Sequence, residues 1–169
     1  VRVRGNPLLG ISDIVNADLR WEYYFDDNQQ DNISVALFYK DMEDPIERVY
    51  QAASGTAANS RTFQNAESAE LYGVEVDGRK EFLLTSDYNN TVFVAFNAAY
   101  IESETTLLSG DQRPLQGQPE YTANFVVGYD NVPGGHHVTL LYNHNGESIA
   151  DVGILGLPKA EWNWVLVRS

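Results

Sequence analysis

Charged side chains recur at every second residue in two short rows: Asp18, Arg20 and Glu22, then Glu75, Asp77 and Arg79. In an extended chain this spacing puts each trio on one face. Such a face can line an aqueous passage, or simply form cross-strand ion pairs worth roughly 0.2 to 1 kcal/mol each. Glu43, Asp44 and Glu47 beside Pro45, and Glu102 with Glu104, are the residue types of a glycosidase acid and base or of hard-cation ligands. No calcium-loop pattern accompanies them, so they read as solvated loop charge. The histidines are His136, His137 and His144. Neighbours in an extended segment point to opposite faces, so His136 and His137 do not share a metal. The chain also lacks a His-Glu-x-x-His motif, a Gly-x-Ser-x-Gly elbow and a Gly-x-x-x-x-Gly-Lys phosphate loop. No enzyme chemistry, cofactor or metal site follows from these residues.

What positions the charged rows is an alternation of period two. Six segments carry it: residues 17–25, 32–41, 67–80, 91–103, 121–129 and 137–145. At nine to fourteen residues they exceed the five or so of an ordinary globular strand. The connections alternate in length, with 26–31, 83–90 and 131–136 short, and 42–66 and 104–120 long. This predicts an all-β, antiparallel up-and-down meander with short turns at one end and long loops at the other. Long amphipathic strands with that loop asymmetry suit the wall of an outer-membrane β-barrel, whose closure satisfies backbone groups that lipid cannot. A soluble β-sandwich alternates equally well and is the competing expectation, as a ligand-binding module for carbohydrate, for example.

On the barrel reading, Asp18, Arg20, Glu22, Ser34, Lys40, Glu75, Asp77, Arg79, Asn97, Asn124 and Asn143 face the lumen. Leu19, Trp21, Tyr23, Val35, Leu37, Val74, Val94, Phe96, Phe125 and Leu140 face outer-membrane lipid. Trp21, Tyr23, Tyr24, Phe25 and Tyr129 near the short turns, and Tyr39, Tyr100 and Tyr142 toward the opposite ends, stand where interfacial girdles belong. The segment Arg113-Pro-Leu-Gln-Gly-Gln-Pro-Glu120 reads as the end of a long loop that sets the register of the next strand. Residues 52–59, rich in Ala, Ser and Gly, read as a mobile loop apex. Residues 162–168 resemble the start of another strand.

Composition narrows the classes further. The 169 residues carry 11 basic against 24 acidic side chains, a formal charge of −13, which repels phosphate backbones and argues against nucleic acid as a partner. Apolar runs of about five residues fall far short of the roughly 20 a membrane-spanning helix needs. The absence of cysteine excludes disulfides and thiolate chemistry. The first residues lack a basic start followed by an apolar core, so the chain reads as mature, cytosolic or truncated.

Particular stretches are more specific than the period. NISVALFYKDMEDPI at 32–46, NAESAELYGVEVDGR at 65–79 and RPLQGQPEY at 113–121 resemble, in order and spacing, late barrel strands of TonB-dependent outer-membrane receptors. DIVNADLRWEYYF at 13–25 resembles the strand before them, and the resemblance covers roughly residues 13–157. It implies a 22-stranded barrel plugged by an N-terminal domain. Such a barrel imports iron-siderophore, cobalamin, haem or carbohydrate ligands across the outer membrane of a Gram-negative bacterium. Energy comes from the inner-membrane TonB complex. Residues 1–169 then form a single barrel fragment, without plug or TonB box. It is either a piece of a larger wall or a small structure closed by pairing its own edges.

Overall fold

The structure is a computed structural model that describes residues 2–25, 31–51, 60–85, 89–153 and 158–161. The expected loop apex at 52–59 and the strand-like 162–168 lie outside the described residues. The strands are β1 Arg2–Val3, β2 Asp13–Tyr24, β3 Asn32–Glu43, β4 Ile46–Gln51, β5 Ser60–Asn65, β6 Ser68–Leu83, β7 Asn90–Thr106, β8 Gln112–Arg113, β9 Tyr121–Asn131, β10 His136–Asn145, β11 Ser148–Gly153 and β12 Pro158–Glu161.

The expected meander is present. The six long alternating segments become β2, β3, β6, β7, β9 and β10, which pair as sequence neighbours in one antiparallel sheet, with β8 added beside β7. Several strands outrun their apolar alternation. β7 continues to Thr106, paired residue for residue with β6 back to Ser68, because a ladder bonds through the backbone and tolerates the polar stretch from Glu102 to Thr106. Among the described strands, β2 and β10 each have one partner and do not pair with each other. The sheet does not close on itself.

Register fixes which side chains share a face. One continuous row runs Glu22, Ser34, Asp77, Asn97, Asn124 and Asn143, across all six strands. The next row on the opposite face runs Tyr23, Ile33, Gly78, Phe96, Phe125 and Tyr142. On that apolar face Leu19, Trp21, Leu37, Phe96, Phe125 and Leu140 are exposed, Leu140 to 70%. A sandwich would bury these side chains beneath a second sheet, so the alternative of a soluble sandwich is not the arrangement observed.

Tyrosines on the apolar face trace a slanted line. Tyr39 lies opposite Tyr72. Tyr100 and Tyr121 pair one same-face step lower, in the row of Val74. Tyr142 pairs with Phe125, two steps lower again. Over four strand spacings, about 19 Å, the line therefore descends six residues, about 20 Å, a slant near 45° to the hydrogen-bonded rows. At the short-turn end of β2, Trp21 and Tyr23 stack at 6.2 Å, and Phe25 meets Tyr23 edge-on at 5.1 Å.

The long connection at 42–66 holds more order than expected of a loop. It contains the antiparallel hairpin β4–β5. β1 adds to β5 and β11 adds to β4, both in parallel, and β12 completes a five-stranded second sheet. The buried apolar side chains gather beneath this sheet: Met42, Ala69 and Leu71 from the long strands, and Val49, Ala66, Leu107 and Val152 from the connections. Met42 and Ala69 share their row with Thr105, which is paired with Arg113. Because Arg113 bonds Glu47 of β4, the loop sheet is held on the polar-row side of the wall.

Three in-strand glycines share one device. Phe38 is opposite Gly73, Phe96 opposite Gly78 and Phe93 opposite Gly128, and each ring lies where a glycine Cβ would stand. A Cβ on Gly73 would meet the Phe38 ring at 2.6 Å and collide with the Tyr100 carbonyl, which cannot move without disturbing the ladder. Gly73→Ala should cost roughly 1 to 3 kcal/mol by overpacking. Gly5→Ala, with nothing within 4 Å, should stay within about 0.5 kcal/mol. Urea titrations of the refolded barrel compare the two, and equal losses would remove the packing role of the Phe–Gly pairs.

Candidate functional site

The charged rows form three clusters of contacts on the polar face. Arg20 of β2 donates through Nε to Glu22 at 2.6 Å, and reaches through Nη2 to Asp77 of β6 at 2.8 Å. That second contact crosses β3. It is possible because β3 presents only Ala36 and Ser34 there, and Ser34, 2% exposed, donates to the same Asp77 oxygen at 2.7 Å. Tyr24 donates to Glu22 at 2.9 Å. Further along the sheet Asn97 donates to Glu75, and Asn124 donates to Asn97 at 3.3 Å. The Arg79 guanidinium lies 4.3 Å from the centre of the Phe93 ring, and its Nη2 is 3.5 Å from Glu81. The outcome is a polar row of Glu22, Ser34, Asp77, Asn97, Asn124 and Asn143 that crosses the sheet and is flanked by Arg20, Glu75 and Arg79.

The residues expected at the lumen all lie on this one face. Besides the row of Glu22, Ser34, Asp77, Asn97, Asn124 and Asn143, the same face holds Asp18, Arg20, Lys40, Glu75 and Arg79. Leu19, Leu37 and Val74 share a row on the other face, as do Trp21 and Val35; Tyr23, Phe96 and Phe125 are there too, and Val94 joins Leu140 through Val127. His136 and His137 are consecutive residues of β10 and so point to opposite faces; His137 Nδ1 lies 2.5 Å from Asp130. His144 lies beside Tyr121 and Tyr142 on the apolar face.

Glu47 departs from expectation. Read as solvated loop charge, it is instead buried and ion-paired to Arg113, their side chains 2% and 5% exposed. Segment 113–120 likewise does more than set a register, since the Gln116 side chain bonds the backbones of Arg48 and Ala150. Nothing in the local sequence signals either contact, because the partners lie 66 and 68 residues apart for Glu47 and Arg48, and 34 for Ala150. The sequence also gave no sign of a pocket of about 560 Å³, which opens where residues 114–120 part from β7. Glu70, Glu102, Glu104, Glu120 and Glu147 line it with Tyr72 and Tyr100, and among the described residues no basic side chain does. Such a surface concentrates cations and repels anions.

Glu102 lies past Tyr100 toward the long-loop end. Hydrogen bonds from the Tyr72 hydroxyl, first, and the Tyr100 hydroxyl, at 3.1 Å, hold its carboxyl below the ordinary glutamate value of 4.5. A lowered folded pKa contributes stability that is fully present above the unfolded value and is lost as pH falls through the folded one. In Tyr72→Phe, Glu102 should therefore titrate closer to 4.5, which carboxyl-carbon NMR across acid pH reads directly. An unchanged midpoint would assign the shift elsewhere.

The two-faced meander, with its loops gathered at one end, defines a segment of β-barrel wall. The chain matches the family model described as TonB dependent receptor-like, beta-barrel, over residues 1–163. It belongs to that family, whose members are transporters of the Gram-negative outer membrane. No curated protein and no solved structure matches the chain.

Proposed function

We propose that this sheet is one sector of a larger barrel that imports a scarce small-molecule ligand across the outer membrane. The ligand class is iron-siderophore, cobalamin, haem or carbohydrate. A plug domain fills the lumen, and TonB delivers energy from the inner membrane. The observation that carries the reading is one-sided cover. The loop sheet folds over the polar face, while the apolar face stays exposed across all six strands. Water-soluble proteins rarely expose so continuous an apolar surface. Placing it against lipid removes that cost and leaves the network around Asp77 facing an aqueous lumen.

Two further features support this orientation. If the tyrosines stand at a common membrane depth, their 45° slant is the strand tilt, which lies at the upper end of the roughly 35 to 45° of transmembrane barrels. The free edges of β2 and β10 are then continued by neighbouring strands, since lipid does not tolerate open backbone edges.

The orientation is testable in the intact receptor. Leu37→Arg should cost roughly 2 to 4 kcal/mol on the lipid side, whereas Asn143→Arg, at an exposed position of the polar row, should be far milder where water can receive the charge. Comparable losses on refolding into bilayers would overturn the facing. Transport is tested separately by uptake of labelled siderophore-iron, cobalamin, haem and a maltodextrin into cells with and without TonB. Accumulation of one of them only in TonB-containing cells is expected, and TonB-independent entry of all would refute active import.

A further inference from the structure

We propose that residues 113–116 are a hub that joins β4, β11 and their own connection into one cooperative body, and that the buried Glu47–Arg113 ion pair is its release point. The hub grips two consecutive residues of β4 from opposite sides. Inward, Arg113 Nη2 lies 2.5 Å from Glu47 Oε2, and Nη1 donates to the Pro114 carbonyl at 3.0 Å. Outward, Gln116 Oε1 accepts from the Arg48 amide at 2.9 Å, and its Nε2 donates to the carbonyls of Arg48 at 2.8 Å and Ala150 at 3.1 Å.

Gln116 thereby does the work of a missing strand residue. β4 and β11 pair directly only at Val49–Val152 and Tyr50–Gly153. One residue earlier, the Gln116 amide spans the gap, helped by Arg48 Nη2 donating to Ala150 at 2.9 Å and by the Gly117 amide donating to Ile149 at 2.9 Å. Loss of the Gln116 side chain removes three hydrogen bonds to the backbones of two different segments, two at Arg48 and one at Ala150.

The ion pair is built to hold position more than to add stability. Glu47 Oε1, Arg113 Nε and the neighbouring Thr105 Oγ1 are buried without hydrogen-bond partners. Desolvation of both charges is therefore incompletely offset, the situation in which apolar replacement of both partners preserves stability, whereas removal of one strands a buried charge. Separation of the pair returns both ends to water and frees β4 from β8, so the loop sheet lifts as a unit instead of fraying strand by strand. This inference rests on the fold alone and not on the transported ligand.

Hydrogen exchange of the full receptor in detergent reads the coupling. Arg113→Gln should raise exchange at least about tenfold in both 46–51 and 148–153, although the Arg113 side chain bonds nothing in 148–153. Gln116→Ala should loosen the same two segments while Thr105–Arg113 pairing stays protected. The double variant Glu47→Leu with Arg113→Met should restore protection. A rise confined to 107–116, or a Gln116→Ala variant with 46–51 and 148–153 unchanged, would overturn the hub. Heat-modifiable gel mobility confirms that each variant assembles, and if Arg113→Gln does not, Gln116→Ala decides the matter alone. Loss of TonB-dependent uptake with coupling intact would count against the proposed import only.

Discussion

Strand register is the constraint on which the remainder of this molecule depends. A slip of one residue in any of the five pairings among the long strands would exchange that strand's two faces. Trp21 would then point where Arg20 bonds Asp77, and Asp77 would join the exposed apolar surface. The opposed Phe–Gly pairs help to hold the alignment, because Phe38 over Gly73 and Phe93 over Gly128 fit only when those residues are directly opposite. On the polar face, Arg20 reaches Asp77 only while small side chains of β3 lie between. Packing of these rings and the charge network, both on the polar face, select the same alignment.

The distribution of buried atoms reinforces this. A globular domain places its apolar core between layers, but here the buried cluster of Met42, Ala69, Leu71, Val49 and Val152 sits only at the long-connection end. The stretch of wall below it is a single layer with no apolar interior of its own. Its stability comes from backbone pairing and from whatever medium contacts its two faces, which is the economy of a barrel wall and not of a sandwich.

The meander and its two faces were legible in the sequence because a strand in a single-layer wall meets two different media, and alternation records that directly. Every residue assigned to one face by alternation shares a face in the structure. The loop sheet was not legible. Ile46–Gln51 is too short to show a period, and its partner Ser60–Asn65 lies beyond an intervening segment. Glu47, Arg113 and Gln116 look like ordinary polar loop residues, since their meaning lies in contacts between segments dozens of residues apart. The acidic pocket was hidden for the same reason, as its glutamates come from β6, β7 and two connections.

The length of the β6–β7 hairpin has a mechanical consequence. Seventeen residues of β7 extend about 55 Å, whereas a 30 Å hydrocarbon layer crossed at 45° occupies about 42 Å. In the proposed membrane orientation, the surplus is a stiff mast of paired backbone that carries the loop sheet clear of the acyl chains. Thinning or thickening of the bilayer would lean the mast without reshaping what it carries, so the geometry of the outer rim is insulated from the composition of the membrane around it.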